Sequence, residues 1–101
     1  MSNNMRTRQE ILDTLKAFKN EANSKYGVTK LGLFGSVARN QQHEGSDVDI
    51  CFDGGSPTLL TIARMEIELE NRIGAPVQLT MLHSGLSKSF LNNLNRDVIY
   101  V

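Results

Sequence analysis

The chain is 101 residues long, 40% hydrophobic and 22% charged, which leaves room for a single domain with one core and little margin of stability. Lysine plus arginine equals aspartate plus glutamate at 11 each, a formal net charge of zero; this argues against broad binding to nucleic-acid backbones, which needs a clustered basic face, and leaves a protein partner or a homodimer open. The polar start of the chain lacks the apolar run of a signal peptide and no segment approaches the roughly 18 apolar residues of a membrane span, so the expectation is a soluble, cytoplasmic protein with no membrane contact.

Residues 1–5 read as a frayed start. Over residues 6–26 the apolar positions Ile11, Leu12, Leu15, Phe18 and Ala22 recur at spacings of three and four, the single stripe of an amphipathic helix. Gly27 ends it. Residues 28–34 read as a strand interrupted at Gly32, residues 35–40 as no more than a turn or two of helix, and residues 40–46 as polar loop. Residues 48–52 form a second strand, with Asp47, Asp49, Cys51 and Asp53 on one parity.

Gly54 and Gly55 break the chain, and Ser56-Pro57 opens a helix as cap and first helical residue. That helix runs over about 58–73, with Leu59, Ile62, Met65 or Glu66, Leu69 and Ile73 as its inner stripe; Gly74 and Pro76 close it. Residues 77–81 read as a third strand, and residues 86–95 as a short helix carrying Leu86, Phe90, Leu91 and Leu94. Residues 98–101 form an apolar tail, an edge strand that could add to a neighbour. The order predicts an α/β (α+β) fold, a small mixed β-sheet covered by helices.

The chemistry sits between Leu33 and Phe52. A strand runs into Gly35-Ser36 and at once into a short helix, where glycine admits a ligand close to the backbone and Ser36 adds a hydroxyl donor beside free N–H groups. Ten residues separate Ser36 from Asp47-Val48-Asp49. Carboxylates at i and i+2 on a strand share a face, about 6.6 Å apart along the chain. Such a pair of hard oxygen ligands suits Mg²⁺ carried by a phosphate substrate.

Gly35-Ser36, ten residues, then Asp47-x-Asp49 resembles the signature of the DNA polymerase β nucleotidyltransferase superfamily. Gly35-Ser36-Val37-Ala38-Arg39 with Ser46-Asp47-Val48-Asp49-Ile50 is similar, more narrowly, to the minimal nucleotidyltransferases, stand-alone domains of about this length. The resemblance implies a nucleotidyltransferase fold and a two-metal phosphoryl transfer at the α-phosphorus, with pyrophosphate leaving. Gly35 and Ser36 would hold the β- and γ-phosphates of ATP or another nucleoside triphosphate, Asp47 and Asp49 would ligate Mg²⁺, and Arg39 could reach a phosphate or pair with an acid. It also implies a separate all-helical partner of the HEPN type, which the small domain can adenylylate or mask as an antitoxin.

One part of the pattern is missing. Active members carry a third carboxylate on the next strand, and the matching position here is Gln78, neutral and unable to take the nucleophile's proton. No Asp or Glu occurs between Asn71 and Arg96. Asp53 lies four residues past Asp49, about 13 Å along an extended strand and too far to share a metal directly; Glu44 could swing in from its loop. The substitution should spare nucleotide binding more than chemistry, because a positioned base is worth about 10²–10⁴-fold in rate. Two functions therefore compete: a nucleotidyltransferase moving a nucleoside monophosphate, AMP first, to a partner protein or other acceptor, and a degenerate nucleotide- or protein-binding module. Cys51 reads as a structural thiol, His43 and His83 as solvated loop residues, Glu66, Glu68 and Glu70 as the wet side of their helix, and Lys88 and Arg96 as residues without a special role.

Overall fold

The computed structural model describes residues 6–43 and 45–101, so the expectations for residues 1–5 and for Glu44 lie outside the described residues. The elements are α1 (Arg8–Tyr26), β1 (Lys30–Phe34), α2 (Gly35–Ala38), β2 (Val48–Asp53), α3 (Leu59–Ile73), β3 (Val77–Met81), α4 (Lys88–Asp97) and β4 (Ile99–Tyr100). The strands form one mixed sheet in the order β3-β2-β1-β4, with β2 antiparallel to β1 and parallel to β3, and β4 antiparallel to β1. The apolar tail is thus an edge strand, as its composition suggests.

Alternation along the strands divides the sheet into two unlike faces. Leu31, Leu33, Val48, Ile50, Phe52, Val77 and Leu79 are buried against Ile11, Leu15, Phe18 and Ala22 of α1 and Met65, Leu69 and Ile73 of α3. Apolar residues spaced by three and four on the helices thus meet apolar residues spaced by two on the strands, and that match makes the core. The opposite face carries Gly32, Phe34, Asp49, Cys51 and Gln78. α4 leans on it, with Phe90 edge-on to Phe34 at 5.9 Å between ring centroids. Gly32 interrupts β1 for a packing reason: a Cβ there would stand 2.8 Å from the Tyr100 ring and 2.9 Å from Val98.

Several boundaries differ from the sequence expectations, each through a hydrogen bond. The first helix starts at Arg8 because Thr7 caps it: the Thr7 hydroxyl accepts from the Glu10 N–H at 3.1 Å and the Glu10 carboxylate accepts from the Thr7 N–H at 2.8 Å, a reciprocal capping box. The first strand starts at Lys30 rather than residue 28, since Val28 is used up in ending α1; its N–H donates to Ala22 and its carbonyl accepts from the Asn23 amide. Thr58, not Ser56, caps α3, its hydroxyl accepting from the Thr61 N–H at 3.2 Å. Ser87 caps α4 by accepting from the Phe90 N–H at 3.1 Å, which leaves Leu86 outside and moves the helix two residues along.

Two corrections concern α3. Leu59 is not part of the inner stripe; it is 86% exposed, and Leu60 and Ile67 also face outward. The Glu66–Glu70 run is not simply its wet side. The Glu70 carboxylate accepts from the Val77 N–H and the Glu66 carboxylate from the Leu79 N–H, both at 3.0 Å. β3 is an edge strand whose outward N–H groups would otherwise wait for water or another chain; α3 occupies them with two carboxylates. Glu68 accepts from the Tyr26 hydroxyl at 2.8 Å.

Candidate active site

The open face of the sheet gathers the residues singled out by their chemistry. β1 ends at Phe34, and α2 starts in the same stroke with Gly35 and Ser36. Phe34 pairs with Asp49 across the antiparallel ladder, so the turn that follows Phe34 folds directly over the Asp49 carboxylate. Gly35 takes φ +77°, and a Cβ at that position would overlap an Asp49 carboxylate oxygen. Both the left-handed backbone and the close approach therefore demand glycine.

Asp47 precedes β2 and is exposed, whereas Asp49 is half-buried on the strand. Burial pushes the Asp49 carboxyl above the ordinary aspartate range, the neighbouring Asp47 charge pushes it the same way, and the positive charge of Arg39 opposes both. Two carboxylates held close in a partly dry site repel each other, a condition a divalent cation relieves. Asp47 and Asp49 therefore fit the hard-oxygen donor set of Mg²⁺, with the Ser36 hydroxyl and the Gln78 carbonyl oxygen as neutral oxygens on the adjoining elements.

Gln78 stands directly beside Asp49 in the parallel register of β2 and β3 and is exposed, about 4.8 Å away in backbone spacing. Asp53 does not join the pair: it lies at the far end of β2 and its carboxylate accepts from the Gly54 N–H at 2.8 Å. Among the described residues no group of three or more His, Cys, Asp or Glu side chains could hold a metal together.

Arg39 caps the C-terminus of α2, and its guanidinium is already engaged. Nε donates to Gln41 at 3.0 Å and one terminal nitrogen donates to Asp97 at 2.7 Å. Cys51 is fully buried, with its thiol pushed up to about 11 chiefly by desolvation, which suits the structural role read from its sequence setting. His43 and His83 lie in loops, the latter accepting from the Gly85 N–H at 3.0 Å.

Comparison with known proteins gives the family of the chain. The nucleotidyltransferase domain family matches residues 15–90. A protein adenylyltransferase of Thermococcus cleftensis, MntA, is 41% identical over 101 residues, covering 96% of this chain and 98% of its own length. The chain belongs to the nucleotidyltransferase domain family. Among solved structures, a minimal nucleotidyltransferase superposes with a TM-score of 0.68 at 30% identity, covering 87% of this chain and 93% of its own. The MNT antitoxin complex with the tri-AMPylated HEPN toxin of Shewanella oneidensis shares the fold, with a TM-score of 0.69 at 16% identity, covering 93% of this chain and 71% of its own.

Three residues around the Gly35–Asp49 face had no assigned role in the sequence reading. Ser46 is a buried polar side chain whose hydroxyl accepts from the His43 N–H at 3.0 Å while its own N–H donates to the His43 carbonyl at 2.9 Å, closing the loop just before Asp47. A serine preceding Asp-x-Asp was the available signal. Arg8 donates to the Ala38 carbonyl at 3.0 Å and so ties α1 to the end of α2. Asp97 meets Arg39 across 58 positions of sequence, a contact that no local pattern announces.

Proposed function

We propose that the chain binds a Mg²⁺–nucleoside triphosphate between the Gly35-Ser36 turn and the Asp47/Asp49 pair, and transfers the nucleoside monophosphate, AMP in the first place, to a separate protein acceptor. The observation that carries this reading is the seating of the Asp49 carboxylate against a glycine that leaves no room for a side chain. A cation held by that carboxylate would stand beside the N–H groups of the turn, where phosphate oxygens can meet both. When bound, Mg²⁺ would neutralise charge shared between the two carboxylates and the phosphates. The chain's own residues orient the substrate: Ser36 donates from its hydroxyl, and Arg39 supplies positive charge beside Asp49. The family relation to a protein adenylyltransferase and the fold shared with an antitoxin in complex with an AMPylated HEPN toxin support AMP as the group moved and a HEPN-type helical protein as the acceptor or partner. A cytoplasmic location is consistent with such a partner, and among the described residues no helix is long and apolar enough to cross a membrane.

Gln78 favours a second reading, in which the chain holds Mg²⁺–nucleotide or its protein partner without turning over. Placed beside Asp49, it offers an oxygen but neither a charge nor a base. Removal of a positioned base costs about 10²–10⁴-fold in rate, so binding survives where transfer is slow.

Thermal stability with and without Mg²⁺–ATP tests the shared part of both readings. A rise of a few degrees that disappears in Asp47→Ala is expected. No rise at millimolar Mg²⁺–ATP in the unaltered chain would sink both nucleotide-based readings and leave only the holding of a protein partner.

A further inference from the structure

We infer that Asp97 is a positioning residue for the triphosphate, acting through Arg39. The inference rests on the nucleotide-binding reading of the Gly35–Asp49 site and extends it to the far end of the chain. Arg39 alone is poorly fixed: it is a long side chain on the cap of a helix that spans only Gly35–Ala38, and its side chain is 45% exposed. Two contacts restrain it. Gln41 takes the Nε–H at 3.0 Å and Asp97 takes a terminal N–H at 2.7 Å. Because a guanidinium is planar, bonds at two of its nitrogens set the plane of the whole group. Its remaining N–H groups have no partner among the described residues and can donate to phosphate oxygens, for which the guanidinium fork is well shaped.

Asp97 is itself held in place from both sides. It is the last residue of α4. Upstream, Phe90 sits edge-on against Phe34, the residue before Gly35. Downstream, Ile99 and Tyr100 pair with Leu33 and Gly32 of β1. The carboxylate that aims Arg39 is therefore anchored to the strand that delivers the Gly-Ser turn. The backbone ties Arg39 to the same turn: its N–H donates to the Gly35 carbonyl at 3.2 Å. A pair this exposed contributes little to folding, which leaves orientation as its main effect.

The test is a calorimetric titration of the full chain with Mg²⁺–ATP, comparing the unaltered protein with Asp97→Asn, Asp97→Glu, Arg39→Ala and the Arg39→Ala/Asp97→Asn double variant. Asp97→Asn should weaken binding about three- to tenfold while the nucleotide-free melting temperature stays nearly constant. Asp97→Glu should recover part of the loss. The double variant should bind no more weakly than Arg39→Ala alone, because Asp97 has no other route to the ligand. Unchanged affinity in Asp97→Asn overturns the inference. So does tighter binding, which would make Asp97 a latch holding Arg39 away, and so do additive losses in the double variant. Absence of binding by the unaltered chain removes the nucleotide reading and the positioning role together, and is distinguished from the other outcomes by that first titration.

Discussion

Replacing Gln78 with aspartate would put a third carboxylate beside Asp49, and its consequences can be worked out from the register of β2 and β3. The two positions are direct neighbours on one sheet face, so their carboxylates would lie about 6 Å apart. At that distance two unit charges repel by about 0.7 kcal/mol in water and about 2.8 kcal/mol at an effective dielectric constant of 20. Gln78 is exposed, which places the cost near the lower end, at about 1 kcal/mol. For a chain of this size that lowers the melting temperature by about 4–8 °C. The loss should appear in EDTA and disappear in millimolar Mg²⁺, since a cation between the carboxylates reverses the sign of their interaction. The assay is paired differential scanning calorimetry of the unaltered chain and Gln78→Asp in both buffers, followed by pyrophosphate release from Mg²⁺–ATP in the presence of a proven acceptor. Transfer should rise by about 10²–10⁴-fold if the missing base is the lesion. A Gln78→Asp protein that is equally stable with and without Mg²⁺ would show that the three positions do not converge on a cation. One that binds Mg²⁺–ATP and stays inactive would show that the defect lies elsewhere.

Further outcomes follow from individual residues. Asp49 has a raised folded-state pKa relative to the ordinary aspartate value of 3.8, so its ionised form costs stability at neutral pH; the folded chain takes up this proton before the unfolded chain does, and the cost fades as pH falls through that window. Asp49→Asn should therefore melt a few degrees higher than the unaltered metal-free chain at pH 7, with the difference shrinking towards pH 4; a lower melting temperature for the variant at pH 7 contradicts the assignment. Cys51, buried and with its thiol pushed up to about 11, should resist iodoacetamide at pH 8 until denaturant is added, and rapid native-state alkylation followed by mass spectrometry would refute its burial. Glu66→Ala should cost about 1 kcal/mol in urea denaturation by leaving the Leu79 N–H without its carboxylate, and should raise concentration-dependent association at the uncovered edge; an unchanged midpoint would mean water replaces the carboxylate at no loss.

What could be read from the sequence is whatever one element states by itself. The stripe of Ile11, Leu15, Phe18 and Ala22 needs no tertiary knowledge, and all four residues are buried. The Gly-Ser turn, the Asp-x-Asp strand and the position of Gln78 follow from local spacing, and the sheet brings them to one face in the expected register. Failures came where two distant segments decide between them what a residue does. Leu59 belongs by periodicity to the inner side of α3, yet capping by Thr58 starts the helix so that this first residue overhangs the sheet. Glu66 and Glu70 look like solvent-facing charges until β3 is laid beside them. Asp97 gains its meaning only when α4 returns to the end of α2. The cap of α3 was misplaced for a related reason: Thr58 competes with the adjacent Ser56-Pro57 signal of equal local merit.

The strand that carries Gln78 is an edge strand, yet it is braced on both sides. Its inner edge is paired to β2 through the whole span from Val77 to Met81, and its outer N–H groups at Val77 and Leu79 are held by Glu70 and Glu66. Gln78 lies between those two clamped residues, so its Cα position is set from both sides regardless of which side chain it carries. Loss of scaffold therefore does not explain the absence of a carboxylate; a single side chain does. The Gly35 turn shows the same retention, since its left-handed backbone and its contact with Asp49 are costly features that a collapsed site would have no reason to keep. The strained turn and the braced strand both persist around one neutral residue, which supports the proposed reading of a ligand-holding site and makes Gln78→Asp the substitution that tests the transfer step.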